Sequence, residues 1–352
     1  MKKRYSIKKM EELILHEGVR IAMIDGGRGI GKSYQVKTRA IKNAYKDDSN
    51  KFIYMRRYAE DLKNFYVEKY FSQPAIIAYI KRITKNEYTN IFCANHTLYF
   101  GKFDSEYKKV LGKKCGYCIP LSQDTRHKSL DFEDVQSIIF EEWQTEETYL
   151  QREPDRLLSI LSTVARDRED VAVFMIANLI NTVSPYAVEF ALDRIERQKA
   201  GTIDIYDEEI ELSGGGIYKF KVAREFCEEV SILHNKDKEV SYYKTGNHTT
   251  YKILNSDKVY HELVIEYGQF KFLCRLIKVN NCFVWHVERK TSEIRKNARI
   301  ISNKFYYSNL YTNKLVPINS RERKALELMT QGKIVYSDRI TAEKFIAVLK
   351  NF

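Results

Sequence analysis

Residues 26–33 read Gly-Gly-Arg-Gly-Ile-Gly-Lys-Ser, which matches the phosphate-binding pattern G-x-x-x-x-G-K-[ST] at every fixed position. The flanking sequence supplies the strand and the helix that this motif needs. Residues 19–25 form a short apolar run suited to a buried strand, and apolar side chains recur at helical spacing through residues 33–46. A glycine-rich turn arising by chance would not require this order of elements. The pattern therefore favours a P-loop that binds a nucleoside triphosphate.

The chemistry of phosphate binding explains the residue types in this loop. Glycines let backbone N–H groups wrap around the phosphates, and the following helix directs its positive end at them. Lys32 is predicted to neutralise phosphate charge, and Ser33 is predicted to bind Mg²⁺. Arg28 either reports the nucleotide state across an interface or faces solvent. The predicted nucleotide-binding residues are Gly26, Gly27, Arg28, Gly29, Ile30, Gly31, Lys32, Ser33 and Tyr34.

Two consecutive acids, Glu141 and Glu142, follow an apolar run at residues 138–140. In P-loop ATPases the first acid at this place orders the water around Mg²⁺, and the second polarises the attacking water. The first acid is usually Asp; Glu141 still offers a carboxylate but carries one more methylene group. We predict that Glu141 binds the metal together with Ser33, and that Glu142 is catalytic. The alternative is a pair of exposed acids at the end of a strand.

A further apolar run, residues 171–177, ends in the polar residue Asn178. Ligands of parallel sheets bind at the carboxyl ends of the strands. Asn178 is therefore predicted to sense the γ-phosphate or to position water. Capping of the following turn is the alternative.

Composition limits the class of protein. A chain of 352 residues with 44% apolar residues can fill the cores of two domains. No apolar run reaches the roughly 18 residues of a membrane helix, and the N-terminal residues lack the apolar core of a signal peptide. Six scattered cysteines suit a reducing compartment better than a disulfide framework. We therefore expect an intracellular protein with no membrane partner.

The positive charge is concentrated near the C-terminus. The whole chain carries +12, and residues 251–352 contain 19 Lys/Arg against nine Asp/Glu. A domain this basic usually attracts a polyanion, and nucleic acid is the obvious one inside a cell. Solvated basic residues without a partner are the alternative. Lys and Arg residues in 100–130 and in the C-terminal domain are candidates for contacts with DNA.

The patterns predict an α/β P-loop sheet with helices on both faces, followed by two smaller parts. Residues 1–205 are predicted to form the ATPase domain, with hairpins at 91–121 on the edge of its sheet. Glycines and an acidic run near residue 205 indicate its end, so residues 206–256 are predicted to be a linker module. Residues 257–352 are predicted to form a basic α+β domain, with strands between 263 and 287 and helices at 321–329 and 341–349.

Several blocks together resemble the DNA-packaging ATPases of small tailed phages whose genomes are replicated by protein priming. The resemblance is specific because Arg28 and the pair Arg56-Arg57 are not required of P-loop proteins in general. Beyond residue 200 it rests mainly on domain order. The matching blocks are residues 26–34, 52–58, 119–122, 138–142 and 163–169, and the strand that ends at Asn178.

The resemblance implies a ring ATPase of the additional-strand class (RecA/FtsK-like), in which the Asn178 strand lies between the P-loop strand and the Glu142 strand. It implies that ATP and Mg²⁺ are the cofactors and that hydrolysis at subunit interfaces drives double-stranded DNA into a preformed capsid. Arg166 is implied to be the finger that reaches the neighbour's γ-phosphate, and Lys128 a second contact in trans. From the residues alone, Arg166 is equally suited to a surface ion pair.

The implied partners are double-stranded DNA, further copies of the chain in a homomeric ring (a pentamer by family resemblance), the capsid portal and a structural RNA. The implied location is the cytoplasm of the host cell, with transient attachment to the procapsid. The C-terminal domain is implied to be a ribonuclease-H-type fold that has lost its nuclease acids.

Two other functions stay open at this stage. One is a terminase with an active C-terminal nuclease, which needs converging carboxylates. The other is a nucleotide-binding switch that controls assembly and is not a motor. The candidate nuclease acids are Asp257, Glu262, Glu266, Glu288 and Asp338.

Overall fold

The structure is a computed structural model that describes residues 5–127, 132–145, 148–166, 168–178, 182–212, 216–227, 252, 258–279, 282–290, 300–302, 311–312, 329 and 334–351. The chain divides into two units. The first comprises Met1–Ile180 and Glu196–Leu233, and the second comprises Asn181–Ile195 and His234–Phe352.

The described part of the first unit is built on a nine-stranded mixed sheet with the order β3-β4-β5-β2-β6-β7-β1-β9-β8. The six consecutive strands from β5 to β9 pair in parallel, and the hairpins at the two edges are antiparallel. Strand β7 lies between β1 and β6, which confirms the implied strand order. The strands are β1 (Val19–Asp25), β2 (Lys51–Arg56), β3 (Asn90–Ala94), β4 (Thr97–Phe103), β5 (Lys109–Pro120), β6 (Val135–Glu141), β7 (Ala172–Ile176), β8 (Thr202–Leu212) and β9 (Gly216–Phe226).

The central strands are buried along almost their whole length. All five residues of β7 and six of the seven residues of β1 are buried, as expected for parallel strands that are covered on both faces. The predicted edge hairpins at residues 91–121 are confirmed as β3, β4 and β5.

The helices of the first unit connect these strands. Helix α2 starts directly after Gly31, whose φ of 103° lies in the left-handed region that favours glycine. The apolar face predicted for α2 is buried. The helices are α1 (Lys8–His16), α2 (Lys32–Lys46), α3 (Asn64–Phe71), α4 (Pro74–Ile83) and α5 (Glu153–Ala165), with 3₁₀ turns at Ala59–Leu62 and Leu121–His127.

The division into units differs from the predicted domain boundary after residue 205. Strands β8 and β9 lie in the first unit, where β9 pairs in parallel with β1. The acidic run that indicated a linker belongs to β8, an edge strand, where charged side chains are tolerated and discourage pairing with other chains. Residues 213–215, 228–251 and 253–256 of the predicted linker lie outside the described residues.

The second unit also includes Asn181–Ile195, which the prediction placed in the ATPase domain. This segment contains the short helix α6 (Pro185–Glu189), which the Ser184 hydroxyl caps by accepting a hydrogen bond from the Ala187 N–H at 3.1 Å. The Gln269 amide donates to the carbonyls of Ala187 and Leu192, both at 3.4 Å. These contacts join the segment to the second sheet.

The described strands of the second sheet have the order β14-β13-β10-β11-β12-β15. The first three in sequence form an antiparallel meander, and β13 and β14 continue in parallel from β10. A second sheet domain is therefore present, and its ribonuclease-H-type fold stays a prediction. The elements are β10 (Val259–Tyr267), β11 (Phe270–Val279), β12 (Cys282–Arg289), β13 (Ile300–Ser302), β14 (Tyr311–Thr312), β15 (Ile334–Tyr336) and α7 (Arg339–Asn351).

Helix α7 packs its apolar face on this sheet, with Ala342, Phe345 and Val348 fully buried. It confirms the second of the two predicted terminal helices. The first, at 321–329, lies outside the described residues except for Met329. None of the helices in the described part of the chain has the length and apolar character needed to span a bilayer.

Candidate nucleotide-binding site

The P-loop connects β1 to α2 and depends on glycine at several positions. Gly26, Gly29 and Gly31 have φ values of 149°, 80° and 103°. A Cβ atom on Gly26 would also lie 2.8 Å from the Cβ of Cys227, so this position has no room for a side chain. The loop is held from outside by the Tyr5 N–H, which donates to the Ile30 carbonyl at 3.2 Å.

Lys32 lies inside the loop. Its Nζ donates to the carbonyls of Gly26 at 3.0 Å and Gly27 at 2.7 Å, and to Oδ1 of Asn178 at 3.5 Å. Burial lowers the pKa of the Lys32 amine, and the nearby charges of Cys227 and Asp25 oppose that shift. The structure therefore brings the predicted residues Lys32 and Asn178 together at the ends of adjacent strands.

Glu141 is the last residue of β6, and its side chain is buried. The carboxylate accepts a hydrogen bond from the Tyr70 hydroxyl in α3. Burial raises the pKa of Glu141, while hydrogen bonds from the hydroxyls of Tyr70 and Ser33 and the charge of Lys37 lower it. Glu141 and Ser33 are thus close together, as predicted.

The donor set fits Mg²⁺. A serine hydroxyl and a carboxylate are hard oxygen ligands, and Mg²⁺ is usually held by one or two carboxylates together with substrate phosphates and water. Within the described ranges, no three His, Cys, Asp or Glu side chains are grouped so that they could hold a metal ion. A cation at Ser33 and Glu141 would therefore depend on the nucleotide for further ligands.

Glu142 follows β6 with a φ of 59°, and its N–H donates to the Ile176 carbonyl at 2.8 Å. The side chain is 60% exposed and its Oε2 accepts a hydrogen bond from Nη2 of Arg56 at 2.6 Å. At the end of β6, the Glu141 carboxylate is thus buried, and the Glu142 carboxylate that follows it is accessible at the surface.

Arg57 fixes the backbone of this turn. Its guanidinium donates to the carbonyls of Glu142 at 3.1 Å and Trp143 at 2.7 Å. The same group forms a bidentate pair with the buried carboxylate of Glu153, at 2.8 and 2.9 Å. Glu153 also accepts the Leu150 N–H at 2.8 Å. The end of β2, the turn after β6 and the start of α5 are therefore joined through one arginine.

A second buried ion pair supports the base of the P-loop. Asp25, the last residue of β1, pairs with Arg224 of β9 at 2.8 Å, and both side chains are fully buried. Burial raises the pKa of Asp25, and the charge of Arg224 lowers it. The Gln198 side chain accepts a further hydrogen bond from Arg224. Sequence analysis did not predict this pair.

The two residues predicted to act in trans have different outcomes. Arg166 follows α5 with a φ of 49°, its side chain is 51% exposed, and its Nη1 lies 3.9 Å from Oε1 of Glu133. The exposure suits a trans contact, and the ion pair is the alternative that the sequence left open. Lys128 lies outside the described residues.

Four lysines in the hairpin of β4 and β5, which were candidates for DNA contacts, form ion pairs within the chain. The pairs are Lys108–Glu106 at 2.6 Å, Lys109–Glu68 at 2.7 Å, Lys113–Asp48 at 3.1 Å and Lys114–Asp134 at 2.9 Å.

The described candidate nuclease acids of the second unit also have local partners. Glu262 and Glu288 both pair with Arg275, at 3.0 and 3.1 Å. Glu266 lies 3.8 Å from Lys271, and Asp338 accepts the Thr341 N–H at the start of α7 at 2.8 Å. Asp257 lies outside the described residues.

A P-loop after β1, two acids at the end of β6 and an additional strand between them define a P-loop NTPase of the additional-strand class. The sequence model of the Podovirus DNA encapsidation protein (Gp16) family matches residues 5–213. This chain belongs to that family, which confirms the resemblance drawn from the sequence.

A relative in Bacillus phage B103, named DNA packaging protein, is 34% identical over 170 residues, which cover 47% of this chain and 46% of that protein. This chain thus spans about half the length of the curated relatives it matches. Two solved structures share the fold. The phi-28 gp11 DNA packaging motor has a TM-score of 0.54 at 16% identity, covering 100% of this chain and 99% of that chain. The bacteriophage phi-29 genome packaging motor assembly has a TM-score of 0.54 at 19% identity, covering 99% and 98%.

Proposed function

We propose that this chain is the ATPase subunit of a ring-shaped motor that drives double-stranded viral DNA into a preformed capsid. The observation that carries the proposal is the convergence of Lys32, Asn178 and the acids Glu141 and Glu142 at the carboxyl ends of three adjacent parallel strands. Membership of the DNA encapsidation family supplies the expected substrate.

The P-loop binds the phosphates of ATP in this account. Its backbone N–H groups and the positive end of α2 surround the β- and γ-phosphates. Lys32 exchanges its hydrogen bonds with the carbonyls of Gly26 and Gly27 for phosphate oxygens. Ser33 and Glu141 hold Mg²⁺, which neutralises phosphate charge when bound.

Glu142 orients the attacking water and accepts its proton. Its exposed position beyond the strand end lets it reach a water in front of the γ-phosphate, while Arg57 fixes the backbone that carries it. Asn178 contacts the γ-phosphate or this water in this account, and its hydrogen bond from Lys32 supports that role.

Arg166 completes the site of a neighbouring subunit and stabilises the charge on the transferring phosphoryl group. Its place at an exposed helix end supports this role. A site shared between subunits supports the proposal of a homomeric ring, with a pentamer expected from the family. We further propose the capsid portal and a structural RNA as partners, in the host cytoplasm.

The direct test is a packaging assay with the full chain, procapsids and genome-length DNA, in which packaged DNA resists nuclease. Wild type is expected to protect DNA only when ATP is present, and Lys32→Ala should abolish protection. Lys42→Ala, which removes an exposed lysine from the same helix, is the matched control and should package normally. Equal protection by wild type and Lys32→Ala would overturn the proposal.

A further inference from the structure

The carboxylate at position 141 is one methylene longer than the aspartate usual at this place, and the structure shows what the longer side chain contacts. Oε1 of Glu141 accepts a hydrogen bond from the hydroxyl of Tyr70 in α3. A carboxylate has about four lone-pair sites, so one hydrogen bond to Oε1 leaves capacity for a cation. The bond does fix which way the carboxylate faces.

The Tyr70 ring is itself held in place by neighbouring side chains. It stacks on the ring of Tyr54 in β2, with centroids 4.5 Å apart and an angle of 21° between the planes. Phe71 makes an edge contact at 4.9 Å. Tyr54 lies on β2, which pairs with β6. The stacking therefore packs the Tyr70 ring against the same sheet that carries Glu141.

Lys37 connects this phenol to the P-loop helix. Its Nζ lies 3.8 Å from the centroid of the Tyr70 ring and donates to the Tyr70 carbonyl at 3.1 Å. A third contact, to Oε1 of Gln73, is also 3.1 Å long. Lys37 is one helical turn after Ser33, so both residues lie on the same face of α2. The buried Lys37 therefore couples the positions of Tyr70 and Ser33.

We infer that Tyr70 is a positioning residue for the Mg²⁺-binding carboxylate: its hydroxyl holds Oε1 of Glu141 so that the carboxylate faces Ser33. The inference rests on the proposed function, because it assumes that Ser33 and Glu141 bind the metal of a nucleotide. Groups that hydrogen-bond to metal ligands typically change metal affinity by about 10–100-fold when removed.

The test uses Mn²⁺ as the probe, titrated by electron paramagnetic resonance against the full chain saturated with a non-hydrolysable ATP analogue. Tyr70→Phe, which removes only the hydroxyl, should raise the apparent dissociation constant of Mn²⁺ about tenfold. Binding of the analogue without metal should be unchanged. Tyr66→Phe, an exposed tyrosine on the same helix, is the matched control and should behave as wild type.

A second variant separates positioning from general packing. Glu141→Asp shortens the side chain that bonds to Tyr70, so Tyr70→Phe should have no further effect on the Mn²⁺ constant in that background. Equal Mn²⁺ dissociation constants for wild type and Tyr70→Phe would overturn the inference. So would a tenfold rise in that constant when Tyr70→Phe is added to Glu141→Asp. Either result would leave the proposed function intact. Failure of wild type to bind Mn²⁺ with the analogue would overturn both.

Discussion

Glu142 combines two features at the residue scale, an exposed carboxylate and a backbone φ of 59°. A left-handed conformation costs a non-glycine residue about 1–2 kcal/mol. It persists here because the N–H and carbonyl of Glu142 are both hydrogen-bonded, to Ile176 and Arg57. Strain that neighbouring contacts enforce is typical of functional positions.

Glu142→Gln keeps the size of the side chain but removes the base. We expect nucleotide binding to be retained and steady-state hydrolysis to fall by about 10²–10⁴-fold, the usual contribution of a general base. Glu60→Gln, an exposed acid elsewhere in the same unit, is the control and should hydrolyse ATP at the wild-type rate. Undiminished turnover in the Glu142 variant would remove it from the catalytic role.

Arg57→Ala leaves the Glu153 carboxylate buried without its partner. Breaking a buried pair by removing one member costs about 3–5 kcal/mol, so urea unfolding should show a loss of this size. The double variant Arg57→Met/Glu153→Leu removes both charges and should lose much less. Arg152→Ala, whose side chain is 76% exposed in its pair with Asp155, should change stability by less than about 1 kcal/mol. A similarly small change in Arg57→Ala would contradict the structure.

The predicted site residues share one property: they belong to motifs of fixed spacing or to the end of an apolar strand. Lys32, Ser33 and the acids after β6 could therefore be located from sequence. The contacts of Tyr70, Arg57 and Arg224 could not, because their partners are 71, 96 and 199 positions away. No local pattern indicates which distant carboxylate a basic or phenolic group will meet.

At the scale of elements, the buried central strands and the hairpins of β3, β4 and β5 were predicted correctly, whereas the β8–β9 hairpin at the other edge of the sheet was not. Strands β1, β6 and β7 contain apolar runs at residues 21–24, 138–140 and 172–176, as expected for parallel strands that are covered on both faces. Strand β8 alternates acids with apolar residues, and its partner β9 joins a strand nearly 200 positions earlier. Its register therefore depends on tertiary contacts that the local sequence does not reveal.

Gly116 tests the close approach of β5 and β2. A Cβ atom at this position would lie 2.2 Å from the carbonyl oxygen of Phe52, which is backbone and cannot rotate away. Gly116→Ala should lower the free energy of unfolding by about 1–3 kcal/mol or more, as overpacking does. Tyr107→Ala, in the same hairpin but 87% exposed, should change it by less than about 0.5 kcal/mol. Thermal unfolding that is equal for the two variants would contradict the pairing of β5 with β2.

At the scale of the whole molecule, the two units have different charge. The basic excess lies in residues 251–352, whereas the P-loop and its acids lie in the first unit. This separation suits a protein in which one unit hydrolyses nucleotide and the other attracts a polyanion. Ion pairs do not distinguish the two units, because Lys271, Arg275 and Arg339 of the second unit also pair with acids.

The trans role proposed for Arg166 predicts complementation in mixed rings. Arg166→Ala has an intact P-loop, and Lys32→Ala has an intact Arg166. Each variant alone should assemble with other copies of itself but hydrolyse ATP poorly, because every interface lacks one of the two groups. Mixing them should restore part of the activity, because some interfaces then pair a working P-loop with a working arginine. Glu133→Gln, which removes the charge that lies 3.9 Å from Arg166, should be active alone. Normal hydrolysis by Arg166→Ala rings, or no recovery on mixing, would exclude a finger in trans.

The central claim is that ATP hydrolysis at this site is coupled to movement of DNA. It is tested most directly by steady-state ATP hydrolysis in the presence of procapsids, with and without long double-stranded DNA, using Glu142→Gln as the blank. The account predicts that DNA stimulates hydrolysis by the wild type and that this stimulation is lost in the variant. Hydrolysis that is slow and equal with and without DNA, with procapsids present, would contradict it and favour a nucleotide-binding switch that controls assembly.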